Sequence, residues 1–363
     1  MKCMETLTRK VYKSILKPLA FKRDPEETHN KAIKLGIKLG KSPLFKSLLS
    51  NIYNYENPIL SQNLLGIKFK NPVGLSAGFD KNAELSDILP TIGFGFAELG
   101  SITAKPCSGN KGTRIKRLPN KESLWINLGL NNKGADKIYN SLKSISPQIP
   151  LGISIAKTNC KETVKEKVAI SDYLYSIKKF ANLKQASYLT INISCPNAYG
   201  GQPFSDPKLL SQLLSKVSAL KMKKPIFIKI SPDLDKKTID ETLKLAKKHK
   251  ISGLICSNLT KKHKEKSGGL SGKPLEAKAN NLISYIYKKT KGKFVIIGVG
   301  GIFSAEDAYK KIKLGASLVQ LITGMIYEGP SLISEINRDL VNLLKKDGFK
   351  NISDAIGTAH KIN

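Results

Sequence analysis

Eight short apolar runs recur along the chain, at 73–77, 94–99, 150–156, 187–194, 224–230, 251–257, 293–299 and 316–322. The run at 187–194 is rich in β-branched residues and is stopped by Pro196, Gly200 and Gly201, the signature of a strand buried on both faces. Most runs are separated by helix-sized, Lys-rich amphipathic stretches. Strands alternating with helices make a parallel sheet, and eight strands close it into a (β/α)8 TIM barrel. The competing architecture is an open doubly wound sheet. That fold carries G-x-G-x-x-G after its first strand, and Gly74-Leu-Ser-Ala-Gly-Phe-Asp80 does not match it.

Two additions decorate the barrel. Residues 1–60 read as a helical extension, and 61–363 as the barrel with a short strand pair at Leu64–Phe69 before it. Val11, Tyr12, Ile15, Leu16 and Leu19 form one apolar stripe, and Leu44, Phe45, Leu48, Leu49, Ile52 and Tyr53 another. Between them Asp24-Pro-Glu-Glu is a helix start: a cap, proline at the first position, acids in the first turn. Such basic amphipathic pieces either lie on a membrane surface or pack on the domain. Residues 101–127 are an insertion, with Arg114-Ile-Lys-Arg-Leu and Ser123-Leu-Trp-Ile alternating as a small β-hairpin around Pro119-Asn120.

A βα barrel builds its site at the C-terminal ends of its strands. Here those ends are polar almost without exception: Ser76, Ala77, Gly78, Asp80 and Lys81; Ser101 and Thr103; Ser154 and Lys157; Asn192, Cys195 and Asn197; Lys229; Ser257 and Asn258. The last two ends, Gly298-Val-Gly-Gly301 and Thr323-Gly324, expose backbone N–H groups suited to a phosphate, and Gly268-Gly-Leu-Ser-Gly272 adds a further nest. Lys81 and Lys229 put two positive charges in the mouth, suited to an anionic ring system and a carboxylate. Of the four histidines, at 29, 249, 263 and 360, none is at a strand end, so the general base is expected to be Cys195.

Composition narrows the partners. The formal charge of +33 fits nucleic acid, an anionic membrane face or an acidic substrate, but the lysines are scattered along helical segments, as on solvated helix faces. The five cysteines lie far apart with no CxxC or Cys/His cluster, which points away from disulfides and metal and toward a reducing compartment. No apolar run approaches the ~20 residues of a membrane span, and the first 22 residues lack a secretory h-region.

The motifs Asn71-Pro-Val-Gly-Leu-Ser-Ala-Gly-Phe-Asp-Lys81, Asn192-Ile-Ser-Cys-Pro-Asn197, Lys229-Ile-Ser-Pro-Asp-Leu, Ser257-Asn258, Gly268-Gly-Leu-Ser-Gly-Lys-Pro-Leu and Ile297-Gly-Val-Gly-Gly-Ile together resemble the dihydroorotate dehydrogenases, over nearly the whole chain. The resemblance implies an FMN-bearing barrel that oxidises dihydroorotate to orotate in pyrimidine (UMP) synthesis. It implies that Cys195 takes a proton from C5 while a hydride leaves C6. Lys81, Asn127, Asn192, Asn197 and Asn258 would hold the substrate. Ala77, Gly78, Ser101, Ser154, Asn192 and Ser257 would contact the flavin, Lys229 would sit by its ring, and Gly272, Gly300, Gly301 and Thr323 would surround its phosphate.

The helical leader resembles the membrane-associated, quinone-reducing class, with His29 and Arg117 matching residues of its quinone tunnel. That implies a peripheral position at the cytoplasmic face of the membrane and no nucleic-acid partner. Cys195 and Ser154 instead match the soluble class, which uses fumarate or NAD and is cytoplasmic. The segment after Asn127 is one residue shorter than the usual Asn-Arg-x-Gly, and Ile322 stands where the quinone class commonly has tyrosine. Two rivals remain: an FMN-dependent tRNA dihydrouridine synthase, which should add a helical RNA-binding domain after the barrel, and a non-catalytic flavin barrel that docks on membranes or partners.

Overall fold

In the computed structural model, which describes residues 2–265 and 267–360, the eight runs form the eight strands of a closed barrel. These are β1 (Val73–Leu75), β2 (Phe96–Ile102), β3 (Leu151–Ile155), β4 (Tyr188–Asn192), β5 (Ile226–Ile230), β6 (Gly253–Cys256), β7 (Val295–Val299) and β8 (Leu318–Leu321). They pair in parallel in chain order, and β8 returns to β1 through the Val319–Val73 register. Most strands are shorter than the apolar runs that announced them. Burial continues past the ladder, as at Ala156, Ile193 and Ser194, so hydrophobicity overstates strand length.

Alternation points every second side chain at the barrel axis. Toward the N-terminal end, Phe96, Tyr188, Phe227, Ile255, Ile297 and Leu318 form an apolar plug. The hairpin Gln62–Leu64/Ile67–Phe69 closes it from below, with Phe69 edge-on to Phe96 at 5.4 Å. Glycines make room for these rings. A Cβ on Gly74 would stand 2.4 Å from Phe96, and one on Gly152 would stand 2.1 Å from Tyr188. Two residues further along the same strands the interior turns polar, with Glu98, Thr190, Lys229 and Gln320 all buried. The outward strand faces join the surrounding helices in one large core that holds Leu75, Leu99, Ile153, Ile191 and Leu254.

The leader is helical as expected: α1 (Lys2–Val11), a π-helical turn Tyr12–Leu16, α2 (Lys17–Phe21), α3 (Pro25–Gly40) and α4 (Pro43–Tyr53). Asp24 caps α3, its Oδ1 accepting from the N–H groups of Glu26 and Glu27 at 2.9 Å. Between β1 and β2 the chain forms only the short turn Leu89–Ile92 instead of a crossover helix. The leader covers this gap: Gly36 and Gly40 bring α3 so close that a Cβ would meet Leu85 at 2.7 Å and Asp87 at 3.2 Å. The expected hairpin is Ile115–Leu118 with Ser123–Ile126. A third strand, Gly269–Leu270, pairs with it, so the first half of the expected Gly-rich nest is strand.

Candidate active site

The strand ends and the inner face of the leader enclose one cavity of about 720 Å³. Of the eighteen residues expected to act as base or to contact substrate, flavin or quinone, sixteen line it: His29, Ala77, Gly78, Lys81, Ser101, Arg117, Asn192, Cys195, Asn197, Lys229, Ser257, Asn258, Gly272, Gly300, Gly301 and Thr323. Two stand behind the wall. Ser154 is fully buried and shares a 2.8 Å hydrogen bond with Ser101 Oγ. Asn127 turns its Oδ1 to accept from Asn110 Nδ2 at 2.9 Å. The residues that follow it, Leu128, Gly129, Leu130 and Asn131, line the cavity wall.

Cys195 follows directly from the end of β4, and its neighbours are pinned from several sides. Tyr173 Oη donates to Asn192 O at 2.8 Å, and Asn192 Nδ2 donates to Ser101 Oγ at 2.8 Å. Asn258 Nδ2 donates to Ser194 Oγ at 3.0 Å. Beyond the thiol, Lys157 Nζ donates to Tyr199 O at 2.6 Å and so ties down the loop that carries Cys195. Burial pushes the thiol up to about 11, against the pull of the Asn197 and Ala198 N–H groups and of Lys157 and Lys229. The resting thiol is therefore protonated at neutral pH.

Lys81 sits where leader and barrel meet. Its Nζ is 3.2 Å from His29 Nε2, and the His29 ring stands edge-on to Phe79 at 4.9 Å. Burial and the Lys81 charge hold His29 down to about 3, so its imidazole is neutral and accepts from the ammonium. Burial lowers Lys81 to about 8, with Glu26 and Asp80 opposing. Glu26 in turn accepts from Arg114 Nε at 2.8 Å, a clamp between α3 and the hairpin. Arg117 extends the clamp: it donates to Arg23 O at 2.6 Å and lies over the Phe21 ring at 4.7 Å.

Gly272, Gly300 and Gly301 adopt φ of +80°, +116° and +71°, the left-handed region that glycine tolerates. Beside them Ser271 Oγ and Thr323 Oγ1 share a 2.8 Å hydrogen bond. Lys229 donates to Ser76 Oγ at 3.2 Å and has Glu98 at 3.9 Å. Burial pushes both groups toward neutrality while each one's charge opposes the shift of the other.

Several contributors escaped the sequence reading. Asn110 bridges Asn127 and the Asn197 carbonyl at 3.0 Å, and Asn159 Nδ2 donates to Asn110 Oδ1 at 3.0 Å. Both sit in Gly/Asn/Lys-rich loops where asparagine reads as turn chemistry. Glu98 interrupts an apolar run, and that interruption was the one available signal.

Comparison with known proteins agrees with this geometry. The family model described as Dihydroorotate dehydrogenase matches residues 59–344. A protein of Gloeobacter violaceus named dihydroorotate dehydrogenase (quinone) is 37% identical over 95% of this chain and 98% of its own length. One of the same name from Christiangramia forsetii is 40% identical over 91% of this chain and 99% of its own length. Among solved structures, the DHODH of Eimeria tenella in complex with ferulenol superposes with a TM-score of 0.83 at 33% identity, covering 93% of this chain and 96% of that one. A closed eight-stranded barrel with its strand ends gathered on one cavity, and relatives alike over nearly their full length, place this chain in the dihydroorotate dehydrogenase family.

Proposed function

We propose that the chain oxidises dihydroorotate to orotate with FMN as its resident redox group, and passes the electrons to a quinone admitted between the leader helices. The observation that carries this reading is the single cavity shared by strand ends and leader, with Lys81 Nζ and His29 Nε2 in contact at 3.2 Å where the two parts join.

The residues suit FMN. The positive-φ glycines 272, 300 and 301 and Thr323 line the cavity and would hold the phosphate. Ala77, Gly78, Ser101, Asn192 and Ser257 would meet the ring system, with Ser154 acting through its bond to Ser101. Bound FMN supplies the hydride acceptor that no side chain can provide. The ammonium of Lys81 would hold the substrate carboxylate, and the carboxamides of Asn192, Asn197 and Asn258 would pair with the ring amides. Asn127 supports them through Asn110 instead of touching substrate. Cys195 Sγ, as thiolate, takes the proton from C5. Lys229 offers positive charge where negative charge builds up during the reaction.

The leader supports a quinone acceptor and peripheral membrane contact. Tyr12, Leu16, Ala20, Leu35 and Leu39 line its end of the cavity. Leu7, Ile15 and Leu19 are each more than half exposed, with Lys10 and Lys17 close by in sequence. No helix among the described residues is long and apolar enough to cross a membrane. A basic amphipathic surface of this kind suits an anionic leaflet. The test is reoxidation of the dihydroorotate-reduced enzyme by a short-chain quinone, fumarate and NAD side by side. Rapid turnover with quinone alone is the expected result, and turnover with only fumarate or NAD would overturn the quinone assignment.

A further inference from the structure

Between the apolar plug and the mouth, the barrel axis carries an acid and a base where a barrel core is normally hydrocarbon. Glu98 on β2 and Lys229 on β5 have side-chain exposures of 0% and 4%. Glu98 Oε2 accepts from Thr190 Oγ1 at 3.3 Å on β4 and from Gln320 Nε2 at 3.2 Å on β8. Its Oε1 stands 3.9 Å from Lys229 Nζ, and the Tyr188 hydroxyl also faces the carboxylate. Among the described residues the ammonium donates to Ser76 Oγ alone. The other titratable groups facing the pair are Cys195, toward Lys229, and Tyr188, toward Glu98. No other carboxylate among the described residues lies within ion-pair range of Lys229.

A direct ammonium–carboxylate hydrogen bond spans about 2.7–2.9 Å, so this pair is stretched. Lys229 also lines the cavity, which leaves its remaining donors available there. A lone buried charge is costly, and it persists where a partner of opposite sign shares the site.

We propose that Glu98 is a positioning residue for the redox step: its carboxylate keeps Lys229 charged and held at the cavity floor, where that charge meets the reduced flavin. This rests on the FMN reading above. With Glu98 ionised, the pair is neutral overall. In Glu98→Gln, Lys229 either stays charged, which favours the reduced flavin, or gives up its proton, which restores neutrality. Losing the carboxylate weakens the hold on that proton, so the charged form survives only at lower pH.

The experiment is a titration of the bound flavin's midpoint potential against pH in wild type and Glu98→Gln. The variant is expected to be more positive than wild type at the acidic end and to fall below it once Lys229 has lost its proton, because Lys229 lines the cavity and the charge nearest the flavin is then gone. Curves that coincide throughout, or that keep a constant offset, would overturn the proposal. Thermal unfolding of Glu98→Gln, Lys229→Met and the double variant gives a second readout that needs no flavin. The double variant is expected to unfold at a higher temperature than Lys229→Met alone, because neutralising both leaves no unpaired buried charge. Additive losses would overturn the pairing. A purified protein without yellow colour would sink the FMN reading while leaving this cycle informative.

Discussion

At Cys195, the base proposed above, two physical demands conflict: a base must lose its proton, and a buried thiol resists doing so. Burial lifts the thiol to about 11, so the thiolate fraction grows about tenfold per pH unit below that value. The rate of flavin reduction at saturating dihydroorotate is therefore expected to climb about tenfold per unit between about pH 7 and about pH 10. Stopped-flow bleaching checks this, and a flat profile would remove Cys195 as base. Cys195→Ala is expected to keep the flavin and lose roughly 10²–10⁴-fold in that rate. Lys81 works in the opposite sense. Its ammonium is lost as pH rises through about 8, so KM for dihydroorotate is expected to rise above that point while the reduction rate still climbs.

At the scale of elements, the leader matters because it walls one end of the cavity and covers the gap left by the missing first crossover helix. It is fastened near its start and near its middle: Arg9 and Lys13 pair with Glu328, and Arg114 of the hairpin pairs with Glu26. Ala32 on α3 lines the leader end of the cavity. Overpacking there costs about 1–3 kcal/mol. Ala32→Trp is accordingly expected to raise KM for quinone by roughly 5- to 150-fold, with the dihydroorotate half-reaction unchanged. Equal losses in both half-reactions would mean that the leader cavity does not serve the acceptor. The glycines that face the plug can be tested in the same spirit. Gly152→Ala forces a methyl into the Tyr188 ring and is expected to cost at least about 1–3 kcal/mol in denaturant unfolding.

For the whole molecule, the question is where the charge and the uncovered apolar surface lead. The net charge of +33 is spread widely, but the exposed apolar side chains gather on the leader, at Met4, Leu7, Ile15, Leu16, Leu19, Leu35, Leu44 and Leu48. Cosedimentation with anionic vesicles is expected to fall when Leu7 and Leu19 are both changed to Glu. In wild type, added salt should weaken it only in part, because screening removes the charge contribution and leaves the apolar one. Binding abolished by salt alone would mean that charge, not the leader, makes the contact.

Period-two and period-3.6 patterns are local properties, so the number of strands, their order and the leader helices could be read from the chain. The polar strand ends were legible as well, because a βα barrel must gather them at one rim. What required the tertiary structure is whatever depends on distance between remote segments. Asn127 turns its side chain to Asn110, and Asn131 lines the cavity instead. Lys81 meets His29 across 52 residues of chain, and Glu98 meets Lys229 across the barrel axis. The sequence determined which side chains reach the rim and the axis. Only closure of the barrel under its leader decided which of them touch, because contact depends on strand register, barrel tilt and loop length together.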